Sequence, residues 1–374
     1  LFAWLKQAEA KGIITEYSQK IPIDKITHNQ AILEALSVLS DEVKERVIKN
    51  LVNNSKNIAE SLLIDETLLS HQVSFFNKIG AEILSSSDSR QLGAVFTPPW
   101  LSEYVSKSAL NYWQEIHKIN TFPERVADFS CGPGAFIFQL SQILNNQSYI
   151  YGKDISPELV CLARLGTIGK TNVKIDIGDS LLDHINPEPS LFDYLENPNL
   201  FEMGSDVFDN YDLIVGNPPY IRSQNISSQY VNYLKKAYPK YTTGNFDLVT
   251  LFLVQSLDAL KPNGVASLIV SSKFMTSKYG SAVCRLLASQ ARVIEIVNFG
   301  DSQVFEGKTT YTCIITFAKQ PKSKTFRVIN FPSGTKWEET GGKIALDRAN
   351  ELSTDRLLSH PWDLSTGLDK HIIK

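Results

Sequence analysis

The feature that most constrains the fold is a regular alternation of strand-like and helix-like segments that begins near residue 93. Short runs rich in β-branched residues are separated by segments with helical periodicity. The predicted strands are RVADFS, YIYGKD, VKIDIGD, YDLIVGN, VASLIVSS and VIEIVNF. Strands connected through helices pair in parallel, because each crossover returns the chain to the same edge of the sheet. The sequence therefore predicts an α/β fold with a doubly wound, mostly parallel sheet.

The segments on both sides of this region have a different pattern. Residues 1–92 are predicted to form a helical N-terminal region, and the Ser-rich run at 85–90 is predicted to be a linker. Helical spacing is clearest in DEVKERVIKNLVNN, through Val43, Val47, Ile48, Leu51 and Val52.

Near the other end, TTYTCIITFAK and TFRVINF are strand-like without a helix between them. We expect an antiparallel edge hairpin there. The α/β domain is predicted to span residues 93–335, and residues 336–374 to be a linker or the start of another domain.

Composition excludes several classes of protein. The chain is 43% hydrophobic and 21% charged, which is ordinary for a globular protein. No run approaches the ~18 consecutive apolar residues of a membrane span, and no signal peptide is recognisable, so a cytoplasmic location is expected.

The cysteines form no CxxC pair and the histidines no metal-binding motif, so no metal site is expected. The cysteines are Cys131, Cys161, Cys284 and Cys313.

The charge balance does not favour a self-sufficient nucleic-acid binder. The net charge is −3 and the isoelectric point is about 6.1. Positive charge would have to cluster on one face, or a basic module would have to be supplied elsewhere. Because the chain begins with Leu1 rather than Met, we expect it to be a piece of a longer protein.

A glycine-rich segment follows the first predicted strand, in the sequence Asp128-Phe-Ser-Cys-Gly-Pro-Gly134. Glycines at a strand-to-helix turn let a ligand approach the backbone closely. A dinucleotide fingerprint would need a third glycine where Ile137 stands, so a nucleoside without a pyrophosphate is the better fit.

Two further acids follow the next two predicted strands. Asp154 lies about 20 residues after the glycine loop, where a carboxylate can accept hydrogen bonds from ribose hydroxyls. Asp179 is placed to accept one from an adenine amino group. Each acid alone could be a helix cap or a loop residue, but together with Asp128 they favour a nucleoside site.

The most specific motif is a hydrophobic strand that runs directly into Asn217-Pro218-Pro219-Tyr220. Two prolines stiffen this turn and remove two backbone donors, which leaves carbonyl oxygens as acceptors. The Asn217 side-chain oxygen and the Pro218 carbonyl could accept both hydrogens of one NH2 group, and Tyr220 could stack on the attached ring. The alternative is an ordinary turn with a surface tyrosine.

Taken together, these segments resemble the amino-directed DNA methyltransferases of the gamma arrangement, especially those fused within restriction-modification enzymes. The resemblance covers about residues 90–330 and implies a Rossmann-like domain that binds S-adenosylmethionine. The implied catalytic residues are Asn217, Pro218, Pro219 and Tyr220. The implied cofactor-binding residues are Phe96, Thr97, Asp128, Ser130, Gly132, Gly134, Asp154, Ile155, Asp179, Ser180, Asn217 and Phe252.

Two aromatic assignments from this resemblance have competitors. Phe252 could contact the cofactor, but a core aromatic at helical spacing fits equally well. Phe305 is similar to a phenylalanine that covers the second face of an extruded base opposite Tyr220, and Phe299 is its near competitor.

The resemblance implies direct methyl transfer to the N6 amino group of a flipped adenine in double-stranded DNA. It also implies a separate or fused target-recognition module and nuclease, since neither is recognisable in this chain. Residues 336–374 would then link to, or begin, that module. Cytosine N4 is disfavoured, because those enzymes usually have Ser in place of Asn217, and ring-carbon methylation would need a Pro-Cys nucleophile.

Three alternatives share the same turn or the same fold. The NH2 clamp would equally suit an RNA base or a protein glutamine amide, because it demands only a planar amino group. A non-catalytic DNA-binding subunit is the alternative from a different class. The intact Asn217, Tyr220 and Asp154 argue against that one.

Overall fold

The computed structural model describes most of the 374-residue chain. The described ranges are 35–48, 68–84, 93–182, 210–302, 304–305, 311–331 and 349–366. The chain divides into two compact units. Unit 1 comprises Leu1–Tyr104 and Asp128–Asp179, and unit 2 comprises Val105–Ala127 and Ser180–Lys374.

Helices and strands are mixed along the described chain from residue 99 to residue 298, and three further strands follow. The helices are α1 (Leu68–Ile83), α2 (Pro99–His117), α3 (Ala135–Ile143), α4 (Pro157–Gly166), α5 (Ser228–Ala237), α6 (Leu248–Ala259) and α7 (Ser281–Gln290). The strands are β1 (Arg125–Asp128), β2 (Tyr149–Asp154), β3 (Val173–Ile177), β4 (Tyr211–Gly216), β5 (Leu260–Ser271), β6 (Arg292–Asn298), β7 (Thr312–Ala318), β8 (Thr325–Asn330) and β9 (Asn350–Ser353). Residues 41–48 are also helical.

Unit 1 has an apolar core between its helices, beside the parallel pair β2·β3. Val73, Phe76 and Ile79 of α1 lie against Phe138 of α3 and Leu162 of α4, and all five are buried. The ring centroids of Phe76 and Phe138 are 5.3 Å apart. Helix α1 is therefore part of this core.

The helical prediction for the N-terminal region can be compared with the structure only in part. Val47 is fully buried in the unit 1 core, and Val43 and Ile48 pack against it. Leu51, Val52 and the linker at 85–90 lie outside the described residues. The extent of the region therefore stays a prediction.

Unit 2 contains a mixed sheet whose strand order is β1-β4-β5-β7-β6-β8-β9. The pairs β1·β4, β4·β5 and β6·β8 are parallel, and the pairs β5·β7, β6·β7 and β8·β9 are antiparallel. Helix α6 packs on β5, and α7 packs on β6. Strands β4, β5 and β6 all run in one direction, so their carboxyl ends lie at the same edge of the sheet.

The sheet confirms the predicted α/β class, with one correction to the pairing. The expected hairpin between TTYTCIITFAK and TFRVINF is wrong, because β7 and β8 do not pair with each other. Instead β7 inserts between β5 and β6, and β8 pairs in parallel with β6. All seven residues of β7 are buried, as a central strand requires.

The last described segment adds to this sheet. Strand β9 pairs with β8 from Asn350↔Val328 to Ser353↔Thr325, so part of the predicted linker contributes an edge strand. Within the described ranges, no helix has the length and apolar character needed to cross a bilayer.

Candidate active site

The glycine loop of unit 1 is held between the end of β1 and the end of β2. The Ser130 N–H donates to Asp128 Oδ1 at 3.0 Å, and the Cys131 N–H donates to the Lys153 carbonyl at 2.9 Å. The Gly132 N–H donates to Asp154 Oδ2 at 2.8 Å. The structure thus brings the predicted residues Asp128, Ser130, Gly132 and Asp154 together.

The two glycines of the loop are required for different reasons. Gly132 has φ +52° and nothing within 4 Å of the position that a Cβ would take, so its turn lies beside open space. Gly134 has φ +102°, and a Cβ there would lie 2.7 Å from the Phe138 ring. Gly134 therefore serves packing, whereas the space at Gly132 is available to a ligand.

Both carboxylates of this loop are held in an unfavourable environment for charge. Burial raises the pKa of Asp128 to about 8, with the Ser130 N–H opposing the rise and the Asp154 carboxylate adding to it. Burial also raises the pKa of Asp154, against the hydrogen bonds from Ser156 and Gly132. Asp128 Oδ2 is buried and forms no hydrogen bond within the described part of the chain.

These features fit a nucleoside that carries a positive charge. Asp128 offers a buried carboxylate oxygen, Gly132 offers open space at the backbone, and Asp154 lies at the end of β2. A ligand with ribose hydroxyls and an ammonium group would supply donors and charge to both acids. S-adenosylmethionine has both groups, so the residues present fit it.

The remaining residues predicted around the cofactor in unit 1 have varied surroundings. Ile155, beside Asp154, is 53% exposed. Asp179 is partly exposed two residues beyond β3. Phe96 packs against Gly80 of α1 and the unit 1 core. Thr97 is buried, and its carbonyl oxygen accepts a hydrogen bond from Asn77 Nδ2 at 2.8 Å. Their contacts with a cofactor stay predictions.

The Asn217–Tyr220 turn of unit 2 follows β4 directly. Val215 and Gly216 at the end of β4 are buried, and Pro218 is buried after them. Asn217, Pro219 and Tyr220 are half-buried, whereas the Asn217 Oδ1 and Tyr220 Oη atoms are shielded from solvent. A shielded acceptor meets little competition from water, so it would bind an amino group more strongly.

Tyr220 lies beside Phe305, the residue predicted to cover the other face of a flipped base. The ring centroids are 6.3 Å apart with an interplanar angle of 67°, an edge-to-face arrangement. Phe299, the predicted competitor, is fully buried and stacks on Phe331 with centroids 5.5 Å apart. The structure therefore brings Phe305 and not Phe299 to Tyr220. The two rings would have to rotate to enclose a base in parallel.

A short bridge holds the chain after this turn, and the sequence did not reveal it. The Ser223 N–H donates to the Phe246 carbonyl at 2.8 Å, and the Phe246 N–H donates to Ser223 Oγ at 3.1 Å. The backbones of Arg222 and Asp247 form an antiparallel β-bridge. The Asp247 side chain caps α6 by accepting a hydrogen bond from the Val249 N–H. Burial raises the pKa of Asp247 to about 6. An Asp before an apolar helix is the one local signal that could have pointed to this contact.

Helix α6 also fixes the segment that begins unit 2. Gln255 Nε2 donates to the carbonyl of the predicted cofactor residue Ser180, which is buried, and Tyr238 Oη donates to the Leu181 carbonyl at 2.9 Å. Phe252, one turn before Gln255, is only 6% exposed. Its burial favours the core alternative, and its cofactor contact stays a prediction.

The cysteines are unsuited to nucleophilic chemistry. All four are buried and free of disulfide bonds. Burial raises the pKa of Cys131 well above its usual value, and Asp154 and Asp128 add to the rise. A thiol that keeps its proton is a weak nucleophile, which agrees with a mechanism that uses no covalent enzyme intermediate.

Comparison with known proteins identifies relatives of this chain. Residues 148–305 match the family described as Eco57I restriction-modification methylase. The type II methyltransferase M.BanIII of Aneurinibacillus aneurinilyticus is 30% identical over 224 residues, which cover 58% of this chain and 37% of that protein. The type II restriction enzyme and methyltransferase RM.Eco57I of Escherichia coli is 24% identical over 358 residues, 80% of this chain and 35% of that protein. The chain thus spans little more than a third of the length of these relatives.

Similarity of fold extends beyond these relatives. A class I S-adenosylmethionine-dependent methyltransferase from Listeria monocytogenes superposes with a TM-score of 0.52 at 15% identity, over 85% of this chain and 94% of that one. Residues 148–305 are therefore similar to the Eco57I restriction-modification methylases, and this similarity together with the fold implies S-adenosylmethionine as the cofactor.

Proposed function

We propose that this chain carries the catalytic part of a restriction-modification DNA methyltransferase that modifies the N6 amino group of adenine. The observation that carries the proposal is the Asn217–Tyr220 turn, which directly follows the buried strand β4. In this turn the acceptor oxygen Asn217 Oδ1 is shielded from solvent, and Phe305 lies beside Tyr220. The family resemblance of the turn supports adenine, since cytosine-N4 enzymes usually have Ser where Asn217 stands.

The turn would act by holding and polarising the substrate amino group. The Asn217 Oδ1 and the Pro218 carbonyl accept its two hydrogens, which draws the nitrogen lone pair out of the ring system. Tyr220 stacks on the flipped base, with Phe305 on its other side, and this contact offsets part of the unstacking cost of a few kcal/mol. The nitrogen would take the methyl group from the sulfonium, whose S–CH3 bond would break to leave S-adenosylhomocysteine, and would lose one proton to solvent.

Unit 1 residues would hold the cofactor. When bound, S-adenosylmethionine supplies an electrophilic methyl group on a sulfonium. Asp154 accepts from the ribose hydroxyls, Asp179 from the adenine amino group, and Asp128 neutralises positive charge with its buried oxygen. Gly132 leaves room for the ligand at the backbone.

The substrate would be double-stranded DNA, and a target-recognition module and nuclease would be supplied outside this chain. The name of RM.Eco57I, a restriction enzyme and methyltransferase in one protein, supports a fused arrangement. The chain covers 35% of that relative, which leaves room for such modules. A cytoplasmic location follows from this role.

Transfer of labelled methyl groups would test the proposal. The protein is incubated with S-adenosylmethionine and, in parallel, with plasmid DNA, bulk RNA or a peptide-chain release factor. We expect label in DNA and in adenine on nucleoside analysis, with Asn217→Ala inactive. Label in RNA, in a glutamine amide or in N4-methylcytosine would contradict it in favour of the corresponding alternative.

Calorimetry separates the enzyme from a silent DNA-binding subunit. The wild-type protein should bind S-adenosylmethionine, and Asp154→Ala should lose that binding while remaining folded by circular dichroism. A wild-type protein that does not bind the cofactor would favour the non-catalytic alternative.

A further inference from the structure

Four exposed side chains of unit 2 lie on segments that are linked to the Asn217–Tyr220 turn, and they have no role in the chemistry described above. They are Arg222, Lys273, Lys278 and Tyr311, and we call them the Tyr311 rim. Three are cationic, although the chain as a whole has a net charge of −3. A local concentration of positive charge on an acidic protein indicates a specific anionic partner.

The central pair of the rim is Lys273 with Tyr311. Lys273 Nζ lies 4.4 Å from the centroid of the Tyr311 ring, a cation–π contact. The Ser272 N–H donates to the Tyr311 carbonyl at 2.8 Å, which ties the end of β5 to the start of β7. The Tyr311 side chain is nevertheless 45% exposed. Lys273 forms no ion pair within the described part of the chain, so its ammonium can still bind an anion.

This pair lies close to the proposed catalytic tyrosine. Thr312 follows Tyr311, and its hydroxyl lies near that of Tyr220. Burial raises the Tyr220 pKa, and the Thr312 hydroxyl partly offsets this rise. Ser271, two residues before Lys273, pairs with Thr312 across the sheet. The Lys273–Tyr311 pair is therefore at the edge of the sheet where β5 ends and close to the turn that follows β4.

Arg222 and Lys278 extend the rim on another side of Tyr220. Arg222 is two residues beyond Tyr220, and its backbone forms an isolated antiparallel β-bridge with that of Asp247. Asp247 interacts electrostatically with Tyr220 and with Tyr279, the neighbour of Lys278. Asp247 is 6% exposed and already accepts from Val249, so it does not present its charge to solvent. Another acid at this edge of the sheet, Asp301, is exposed. It follows β6, which lies two strands away from β5 in the sheet.

We propose that the Tyr311 rim grips the DNA strand that carries the target base. Lys273, Arg222 and Lys278 bind phosphates on either side of the flipped nucleotide, and the Tyr311 ring packs on an adjoining base or sugar. The inference rests on the proposed function and adds the residues that hold the strand. Cations that contact phosphate position the duplex, and aromatic rings stack on bases of any sequence.

Salt dependence of DNA binding tests the rim. Dissociation constants of the full chain for a duplex are measured from low to moderate salt for wild type, Lys273→Ala and Tyr311→Ala. Lys322→Ala is the matched control, because Lys322 is also an exposed lysine but lies in the connection from β7 to β8, at the opposite edge of the sheet. Loss of one phosphate contact should reduce the slope of log K against log salt by about 0.9 for Lys273→Ala. Tyr311→Ala should weaken binding about tenfold, and Tyr311→Phe should restore it.

The outcomes separate this inference from the proposed function. If Lys273→Ala and Lys322→Ala show the same slope, or if wild type has no affinity for DNA at low salt, the rim proposal is wrong. If wild type methylates DNA while the rim variants bind as the control does, only the rim proposal fails. If wild type binds DNA through the rim but transfers no methyl group, the proposed function fails instead. Affinity for S-adenosylmethionine should be unchanged in every rim variant.

Discussion

Replacing the two loop glycines by alanine should separate ligand binding from folding. Gly132 has φ +52° and no atom within 4 Å of the new Cβ, so Gly132→Ala carries only the strain of a left-handed backbone, about 1 kcal/mol. Gly134→Ala carries a similar strain and also places a Cβ 2.7 Å from the Phe138 ring in the unit 1 core. Overpacking of this kind adds about 1–3 kcal/mol.

These costs translate into distinct melting temperatures. For a domain of about 150 residues, 1 kcal/mol shifts Tm by about 2–4 °C. We expect Gly132→Ala to lower Tm by about 3 °C and Gly134→Ala by about 10 °C. The added methyl group of Gly132→Ala would occupy space proposed for the cofactor, so affinity for S-adenosylmethionine should fall more than about tenfold, or 1.4 kcal/mol.

Thermal unfolding and titration calorimetry on the same preparations check both effects. Gly169→Ala is the matched comparison, because Gly169 also has a positive φ (+85°) and nothing within 4 Å of a Cβ, but lies in the connection from α4 to β3. The reasoning is refuted if Gly132→Ala binds S-adenosylmethionine as wild type does. It is refuted equally if Gly132→Ala is the less stable of the two loop variants.

Three further predictions concern the acid, the turn and the support of unit 2. The folded-state pKa of Asp128, about 8, lies above its unfolded value, so the folded protein binds the carboxyl proton more tightly than the unfolded chain does. The stability that this proton binding contributes is therefore present at low pH and is lost as pH rises from about 4 to 8. The Tm of Asp128→Asn relative to wild type should therefore increase between pH 5 and pH 8, and a constant difference would contradict the burial argument. Asn217→Ala should lower kcat for methyl transfer about 100-fold or more, since one acceptor of the amino group is lost; an unchanged kcat would contradict the proposed role of the Asn217 side chain. Tyr238→Phe removes the hydrogen bond to the Leu181 carbonyl and should destabilise unit 2 by about 1 kcal/mol in chemical denaturation, whereas an unchanged midpoint would show that the contact is not formed.

The elements that sequence reasoning predicted well are those with strong local signals. Strand β4 is a continuous apolar run that ends at Asn217, and both the run and the turn can be read without knowing any partner. The glycine loop and Asp154 are likewise marked by residue type and by position after strands. The structure brings Asp128, Gly132 and Asp154 together as that reasoning expects.

The features that sequence reasoning missed depend on distant contacts. Nothing in β7 itself shows that it inserts between β5 and β6 instead of pairing with β8, because pairing is decided by the whole sheet. The choice between Phe299 and Phe305 was open for the same reason. It depends on Phe331, which lies beyond the next two strands and stacks on Phe299.

The central claim is that the Asn217–Tyr220 turn presents an adenine amino group to a sulfonium methyl. Sequencing of modified bases in DNA from cells that express the full-length gene, beside cells expressing Asn217→Ala, tests it most directly. We expect N6-methyladenine at one recurring sequence in the first sample and none in the second. Unmodified adenine in both samples, or the same modification with the Asn217→Ala variant, would contradict it.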